Sequence, residues 1–147
     1  KRHGIQQLLD AASAQAAPGA EAKAITLTVE PTDLTARFDP KWTAEALYNL
    51  VDNAVKYTPA GGQIHVSVEG WEMYVKIDIA DTGIGISEQH QGTIFKRFYR
   101  EDAVHDVDGI GIGLYLAREI VTLQGGYIWV VSEVGKGSTF SVFLLRK

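Results

Sequence analysis

The segment from Asn49 to Tyr57 carries polar side chains whose types and spacing could do chemistry. In a helix, Asn49, Asn53, Lys56 and Tyr57 project from one face, because each lies about one or two turns from the others. An amide oxygen is a hard neutral ligand suited to Mg²⁺, and a lysine one turn further can meet a phosphate. Two stacked asparagines are not needed in a purely structural helix, since asparagine is a poor helix former. The alternative interpretation is a solvated polar face.

A second candidate is the sequence Asp81-Thr82-Gly83-Ile84-Gly85-Ile86, which directly follows a predicted strand. A carboxylate at a strand end can accept a hydrogen bond from the exocyclic amine of adenine, whereas guanine presents a carbonyl oxygen at that position. Gly83 and Gly85 would allow backbone to approach a flat ring. The alternative is a simple turn, because Asp-x-Gly turns are common.

The third candidate, Gly109-Ile110-Gly111-Ile112-Gly113-Leu114, opens a predicted helix. Glycines at a helix N-terminus remove side chains between backbone N–H groups and an anion, which favours phosphate. Neither known phosphate-binding loop matches this sequence. The GxGxxG motif requires a glycine where Leu114 stands, and the GxxxxGK[ST] motif requires a serine or threonine where Gly137 follows Lys136.

Other chemistries lack support in the sequence. No HRD or DFG tripeptide of protein kinases occurs, and His3, His65, His90 and His105 form no metal-ligand cluster. There is no cysteine, and 14 basic against 18 acidic residues give a net charge of −4, which argues against nucleic-acid binding. No apolar stretch approaches a membrane span and no signal peptide opens the chain, so we expect a single soluble domain, residues 1–147, without direct membrane contact.

Hydrophobic alternation and turn residues predict the elements that must position these groups. Asp39 and Pro40 predict a helix start, and Pro18-Gly19 and Gly125-Gly126 predict helix ends. The predicted helices are 4–17, 40–57, 87–100 and 111–124, and the predicted strands are 25–29, 34–38, 64–69, 75–79, 127–132 and 138–145. Three of these helices on one open sheet, in this mixed order, indicate the α+β class, and the polar residues 101–110 are typical of a mobile loop.

Taken in order, the motifs resemble those of the catalytic ATP-binding domain of two-component sensor histidine kinases. Asn49–Tyr57 is similar to the N box, Asp81–Ile86 to the first glycine box, and Gly109–Leu114 to the second. Residues 94–100 resemble the F box, and residues 135–140 the last glycine box. The resemblance implies a Bergerat-type two-layer α/β sandwich, with a mixed, mainly antiparallel sheet packed against three helices and a lid at about residues 101–110.

The resemblance also implies roles for individual residues in binding ATP and Mg²⁺. Asn53 would hold the metal, Asp81 would read adenine, and Asn49, Lys56 and Arg100 would act in phosphoryl transfer. The nucleotide-binding residues would be Asn49, Asn53, Lys56, Tyr57, Asp81, Gly83, Gly85, Ile86, Tyr99, Arg100, Gly109, Gly111, Gly113, Leu114 and Ser138.

The sequence departs from the family in one respect and from related ATPases in another. A phosphoacceptor motif, a histidine followed by an acidic residue near a Thr/Asn-Pro pair, is missing; His105-Asp106 matches only its first two letters. We therefore expect the histidine phosphoacceptor and dimerisation domain of the parent kinase to be a separate partner. Related gyrase- and chaperone-type ATPases use a glutamate as base where this chain has Asn49, so phosphoryl transfer is favoured over hydrolysis.

The resemblance further implies a response regulator downstream, a cytoplasmic location for the domain and a monomeric isolated domain. Two other hypotheses stay open at this point. One is a pseudokinase that senses nucleotide or binds a partner without catalysis, because fold resemblance does not settle activity. The other is a serine kinase of the anti-sigma type from the same superfamily.

Overall fold

A computed structural model describes residues 1–95 and 113–147. The described helices are α1 (Ile5–Ala22), α2 (Pro40–Tyr57), α3 (Glu88–Gln91) and α4 (Gly113–Leu123). The described strands are β1 (Arg2–Gly4), β2 (Thr26–Val29), β3 (Thr35–Arg37), β4 (Gln63–Gly70), β5 (Tyr74–Asp81), β6 (Tyr127–Glu133) and β7 (Gly137–Leu145). Among these residues, no helix is both long and apolar enough to cross a membrane.

Five strands form the main sheet, in the order β2-β4-β5-β7-β6. Only β2 and β4 are parallel; the other neighbouring pairs are antiparallel. The strand β7 therefore lies inside the sheet, with β5 on one side and β6 on the other. A separate two-stranded antiparallel sheet joins β1 to β3. The predicted α+β class, with a mixed and mainly antiparallel sheet, is confirmed.

The core lies between the sheet and the helices α1, α2 and α4. Alternate residues of β5, Val75, Ile77 and Ile79, are buried, whereas Lys76 and Asp78 between them are only half-buried. This is the period of two expected for a sheet with one face packed against helices. The helix α2 packs against both α1 and α4 and so lies in the middle of the helical layer.

The central helix α2 begins and ends where the sequence predicts. Asp39 is its N-cap and accepts a hydrogen bond from the Trp42 backbone nitrogen at 2.9 Å, and Pro40 is the first helical residue. At the other end, Lys23 Nζ donates to the carbonyl oxygens of Val55 and Lys56 at 2.8 and 3.2 Å. Both termini of the helix that carries the first candidate residues are thus held by side chains.

Two predicted helix boundaries are wrong. The helix α1 continues through Pro18 to Ala22, because Ala16 and Ala20 on either side of the proline are buried in the core. Proline removes the N–H that would bond the carbonyl of Ala14, but Ala14 and Pro18 are both exposed, so water can solvate that carbonyl.

The helix predicted over 87–100 is shorter within the described residues. It ends at Gln91, and Thr93 donates hydrogen bonds to the His90 carbonyl from both its backbone nitrogen and its hydroxyl. These short-range bonds, together with the low helix propensity of Gly92, favour a turn over residues 92–95. The remainder of that prediction, residues 96–100, lies outside the described residues.

Candidate functional site

The outer face of α2 presents the two asparagines of the first candidate group. Asn49 and Asn53 are both half-buried, while the predicted core residues Leu47, Leu50, Val51, Ala54 and Val55 on the opposite side are all buried. Within residues 1–95 and 113–147, neither amide takes part in a side-chain hydrogen bond. The start of α4 adjoins this face, since a Cβ at Gly113 would lie 3.8 Å from Cβ and Cγ of Asn49.

Lys56 lies on the same helix, but its ammonium is held by a neighbouring carboxylate. Its Nζ atom is 3.2 Å from Oδ2 of Asp52, one turn earlier, and both side chains are about one-third exposed. An ion pair this accessible to water contributes little to stability, so Lys56 can exchange Asp52 for another anion at small cost.

The C-terminal end of α2 meets the loop that follows β5. Ile84 donates a backbone hydrogen bond to the Tyr57 carbonyl at 3.2 Å. A Cβ at Gly83 would lie 2.5 Å from that same carbonyl oxygen and 2.9 Å from Oδ1 of Asp81, so only glycine fits there. The fold thereby brings the first and second candidate groups to one place.

Asp81, the last residue of β5, is buried, with 8% of its surface exposed. Its Oδ1 atom accepts hydrogen bonds from the backbone nitrogens of Gly83 at 2.8 Å and Ser138 at 3.2 Å. Burial raises the pKa of this carboxyl above its ordinary value, and the two backbone hydrogen bonds lower it by less. Its Oδ2 atom accepts no hydrogen bond from the described residues, so the carboxylate retains capacity for a further donor.

The loop after β5 is fixed against the turn between β6 and β7. Gly85 has φ +77°, and a Cβ there would overlap with the carbonyl of Glu133. Gly135 donates to the Ile84 carbonyl at 2.8 Å, which closes the contact from the other side. The glycines predicted to accommodate a ligand thus also allow two backbone segments to approach each other.

Two polar residues that the sequence analysis did not single out complete this contact. Ser132 Oγ accepts from the Ile86 backbone nitrogen at 2.7 Å and lies 2.7 Å from Ser138 Oγ. Gln91 Nε2 donates to the carbonyl oxygens of Ile86 at 2.8 Å and Ser132 at 3.0 Å. Ser132 could have been chosen only from its position opposite Ser138, and that position requires knowledge of how β6 pairs with β7.

The remaining predicted site residues fall into two groups. Ile86 and Leu114 are buried in the core beside the site, and Ser138 contacts Asp81 through its backbone. Tyr99, Arg100, Gly109 and Gly111, and the predicted lid at 101–110, lie outside the described residues.

The oxygen atoms that these side chains offer are chemically suited to a magnesium-bound nucleotide. Among the described residues, no three His, Asp or Glu side chains are grouped in a way that could hold a metal ion. The amide oxygens of Asn49 and Asn53 are nonetheless of the type that Mg²⁺ takes when phosphates and water supply its other ligands. A buried carboxylate with one uncommitted oxygen suits an exocyclic amine.

Comparison with known proteins agrees with this arrangement. Residues 38–147 match the family model described as "Histidine kinase-, DNA gyrase B-, and HSP90-like ATPase". The chain belongs to this family of ATPases. Within the family, it is a catalytic ATP-binding domain of the sensor histidine kinase type, as its relatives show.

Several of the most similar curated relatives are sensory kinases of cyanobacteria. The chain is 45% identical over 112 residues to the adaptive-response sensory kinase SasA of Synechococcus sp. (strain JA-2-3B'a(2-13)), covering 75% of this chain and 30% of SasA. It is 39% identical over 110 residues to the circadian input-output histidine kinase CikA of Synechococcus elongatus, covering 74% of this chain and 15% of CikA. The chain thus spans less than a third of the length of either relative.

Solved structures share the fold over the whole chain. The mycobacterial sensor histidine kinase MprB superposes with a TM-score of 0.88 at 23% identity, over 99% of this chain and 97% of that one. Full-length ShkA in complex with AMPPNP superposes with a TM-score of 0.83 at 25% identity, over 100% of this chain and 31% of ShkA. The predicted Bergerat fold is confirmed.

Proposed function

We propose that this domain binds Mg-ATP and transfers the γ-phosphate to a histidine on a separate acceptor domain, as the kinase module of a two-component system. The observation that carries the proposal is the burial and the hydrogen bonding of the Asp81 carboxylate. Its carboxylate is buried, is oriented through Oδ1 by two backbone N–H groups, and keeps Oδ2 for a ligand donor. The resemblance of the ordered motifs and the structure of ShkA with AMPPNP support a nucleotide as that ligand.

The proposed roles belong to two groups of residues, those around Asp81 and those on the outer face of α2. Asp81 accepts from the adenine amine, with Gly83, Gly85, Ile86 and Ser138 around it. Asn53 holds Mg²⁺ and Asn49 supports the ribose or phosphates, since both amides are half-buried on one face of α2 and Asn49 adjoins the start of α4. Lys56 exchanges Asp52 for phosphate, and Tyr57 packs by the nucleotide. Tyr99, Arg100, Gly109, Gly111, Gly113 and Leu114 complete the proposed phosphate site.

Asn49 favours transfer to a protein histidine over hydrolysis. An amide cannot take a proton from water as a carboxylate base does, so Asn49 cannot activate a water molecule for hydrolysis. In the proposed reaction, an imidazole nitrogen of the acceptor forms the new bond to the γ-phosphorus, and the bond to the β–γ bridging oxygen breaks as ADP leaves. Arg100 is proposed to stabilise the charge that develops on the transferred group.

The proposed partners are the histidine phosphoacceptor and dimerisation domain of the parent kinase and a response regulator. One structural neighbour, the histidine kinase ThkA, has been solved in complex with the response regulator protein TrrA, which supports the second partner. We further propose that residues 1–147 form a single domain with a lid at 101–110, that the isolated domain is monomeric, and that it acts in the cytoplasm, where ATP is available.

Calorimetric titration of ATP and of GTP, with and without Mg²⁺, into the wild type and Asp81→Asn tests the proposal. We expect the wild type to bind ATP in preference to GTP and the variant to lose more than about tenfold in ATP affinity, because an amide presents a donor as well as an acceptor. Adding the acceptor domain and labelled ATP then tests transfer. A folded wild type that binds ATP but labels no acceptor would indicate the pseudokinase function, and one that binds no nucleotide would overturn the proposal.

A further inference from the structure

Gln91, the last residue of α3, connects the loop after β5 with the strand β6. Its Nε2 group donates one hydrogen bond to the Ile86 carbonyl, in the loop after β5, and one to the Ser132 carbonyl, on β6. Both N–H bonds of the carboxamide are therefore used, and the side chain is half-buried. Few side chains could replace it, because the position requires two donors on one atom that reach two carbonyl oxygens at once.

A continuous series of hydrogen bonds leads from Gln91 to Asp81. The backbone nitrogen of Ile86, whose carbonyl accepts from Gln91, donates to Ser132 Oγ at 2.7 Å. Ser132 Oγ lies 2.7 Å from Ser138 Oγ, and the Ser138 backbone nitrogen donates to Asp81 Oδ1 at 3.2 Å. A shift of Ile86 relative to β6 would thus be passed to the N–H group that orients the carboxylate.

The anchoring of the chain around Gln91 does not depend on this side chain. Ile94 is buried, with 2% of its surface exposed, and the Phe95 ring packs edge-on against Phe140 with centroids 6.2 Å apart. On the other side, the backbone nitrogens of His90 and Gln91 both donate to the Ser87 carbonyl. Loss of the Gln91 carboxamide should therefore leave α3 in place and release only the two carbonyls that it contacts.

We propose that Gln91 is a positioning residue for base recognition, holding the loop after β5 against β6 so that Asp81 faces the base in the orientation that distinguishes adenine from guanine. This inference rests on the proposed nucleotide-binding function and adds to it a determinant of base selectivity outside the residues predicted to touch the nucleotide. A residue that merely stabilised the fold would change the affinity for both purine nucleotides alike.

Gln124 supplies a matched control, because it also crosses between elements through its side chain. Its Nε2 donates to Thr43 Oγ1 at 3.0 Å and to the Ile120 carbonyl at 3.1 Å, and its Oε1 accepts from the Asp39 backbone nitrogen at 2.6 Å. These contacts lie at the N-terminal end of α2, about 20 Å along the helix axis from Tyr57. Gln124→Leu should therefore lower stability without altering base selectivity.

The experiment compares the wild type, Gln91→Met, Gln91→Glu and Gln124→Leu by calorimetric titration with Mg-ATP and Mg-GTP. Methionine keeps the length of the side chain but has no hydrogen-bond donor. Glutamate places a carboxylate, which repels them, against the two carbonyl oxygens. We expect both Gln91 variants to fold and to lose about tenfold in ATP affinity with at most about twofold change for GTP, so that the ratio of the two affinities falls. Gln124→Leu should keep the wild-type ratio.

Amide hydrogen exchange without nucleotide provides a second readout that does not depend on binding. The N–H groups of Ile86, Gly83 and Ser138 should exchange faster in the Gln91 variants than in the wild type and Gln124→Leu. If both Gln91 variants kept the wild-type ratio of ATP to GTP affinity, whether or not the two affinities fell together, the assignment would be overturned while the proposed function stayed intact. A wild type that binds neither nucleotide would instead overturn the proposed function and base recognition with it, and faster exchange would then show only a structural role for Gln91. If Gln91→Glu fails to fold, the uncharged Gln91→Met decides the question.

Discussion

The Nζ atom of Lys23 lies 2.8 Å from the carbonyl oxygen of Val55, so a side chain at the end of α1 caps the end of α2. The same ammonium reaches the Lys56 carbonyl at 3.2 Å. The last carbonyls of a helix have no partner within the helix, and a cation there also interacts favourably with the helix dipole. This contact holds the turn of α2 that carries Lys56 and Tyr57.

We expect Lys23→Met to lower the free energy of unfolding by about 1–2 kcal/mol, because charge-assisted hydrogen bonds to two carbonyls are lost while the aliphatic stem is kept. Urea denaturation followed by circular dichroism measures the change. Lys41→Met, at the exposed N-terminal end of the same helix, is the control and should be neutral. Equal stability of Lys23→Met and the wild type would show that water caps α2 as well as Lys23 does.

Two buried threonines allow a second matched comparison. Both Thr43 and Thr58 are fully buried, but Thr43 Oγ1 accepts from Gln124 at 3.0 Å, whereas Thr58 Oγ1 finds no hydrogen-bond partner among the described residues. Valine has the same shape without the hydroxyl. We therefore expect Thr43→Val to destabilise by about 1 kcal/mol or more and Thr58→Val to be neutral or stabilising by up to about 1 kcal/mol. Thermal unfolding of the two variants in parallel decides this, and a large loss in Thr58→Val would reveal a bound water that the hydroxyl needs.

Gly85 should not tolerate a side chain. Its φ of +77° disfavours any L-residue, and a Cβ would overlap with the Glu133 carbonyl. We expect Gly85→Ala to cost about 2 kcal/mol or more in unfolding free energy, because the loop after β5 must move away from β6. Gly92→Ala, where a Cβ meets nothing within 4 Å, should be neutral or slightly stabilising and serves as the control. Similar stabilities for the two variants would mean that the contact between the loop and β6 is dispensable.

The buried carboxyl of Asp81 predicts a dependence of stability on pH. Burial raises its pKa in the folded protein, so the folded state holds the proton more tightly than the unfolded chain does. This stabilising contribution is fully present below the unfolded pKa and is lost as the pH rises through the raised folded pKa. Asp81→Asn carries no such proton, so its stability relative to the wild type should increase from about pH 4 towards about pH 7.

Urea denaturation of both proteins without nucleotide, across that pH range, measures the difference. If the difference between the two proteins did not change with pH, the Asp81 carboxyl would not be desolvated in solution as it is in the structure.

Asn53→Ala tests the proposed metal ligand. We expect it to bind ATP without Mg²⁺ about as well as the wild type and to lose the gain in affinity that Mg²⁺ provides, since only the amide oxygen is removed. Titrations of ATP with and without Mg²⁺ measure this gain. Arg100→Ala is the comparison, because it should keep Mg-dependent binding and lose transfer to the acceptor domain. A Mg²⁺ effect retained in full by Asn53→Ala would remove Asn53 from the metal site.

Local sequence signals predicted the elements well where capping and alternation agreed. The helix α2 runs from Pro40 to Tyr57 as predicted, because Asp39 caps its start and Thr58-Pro59 breaks the chain after it. The strands β4 and β5 likewise lie where alternating apolar residues predict strands over 64–69 and 75–79. Pro18 misled the prediction, since the burial of Ala20 is a tertiary effect that outweighs one missing helical hydrogen bond.

The site itself was only partly predictable, because its contacts join residues distant in the chain. Asp81 could be chosen from its motif, but its contact with Ser138 spans 57 residues and depends on the register of β5 and β7. Gln91 and Ser132 belong to no motif, and their role becomes apparent only when α3, the loop after β5 and β6 are brought together.

The position of β7 inside the sheet has a consequence for synthesis on the ribosome. This strand is the last of those described, yet it pairs with both β5 and β6 and supplies the Ser138 N–H that orients Asp81. A nascent chain that has emerged as far as β6 therefore exposes one long edge of β5 and has an incomplete base pocket. The proposed nucleotide ligand therefore cannot stabilise the fold until β7 has left the ribosome exit tunnel and has inserted between β5 and β6.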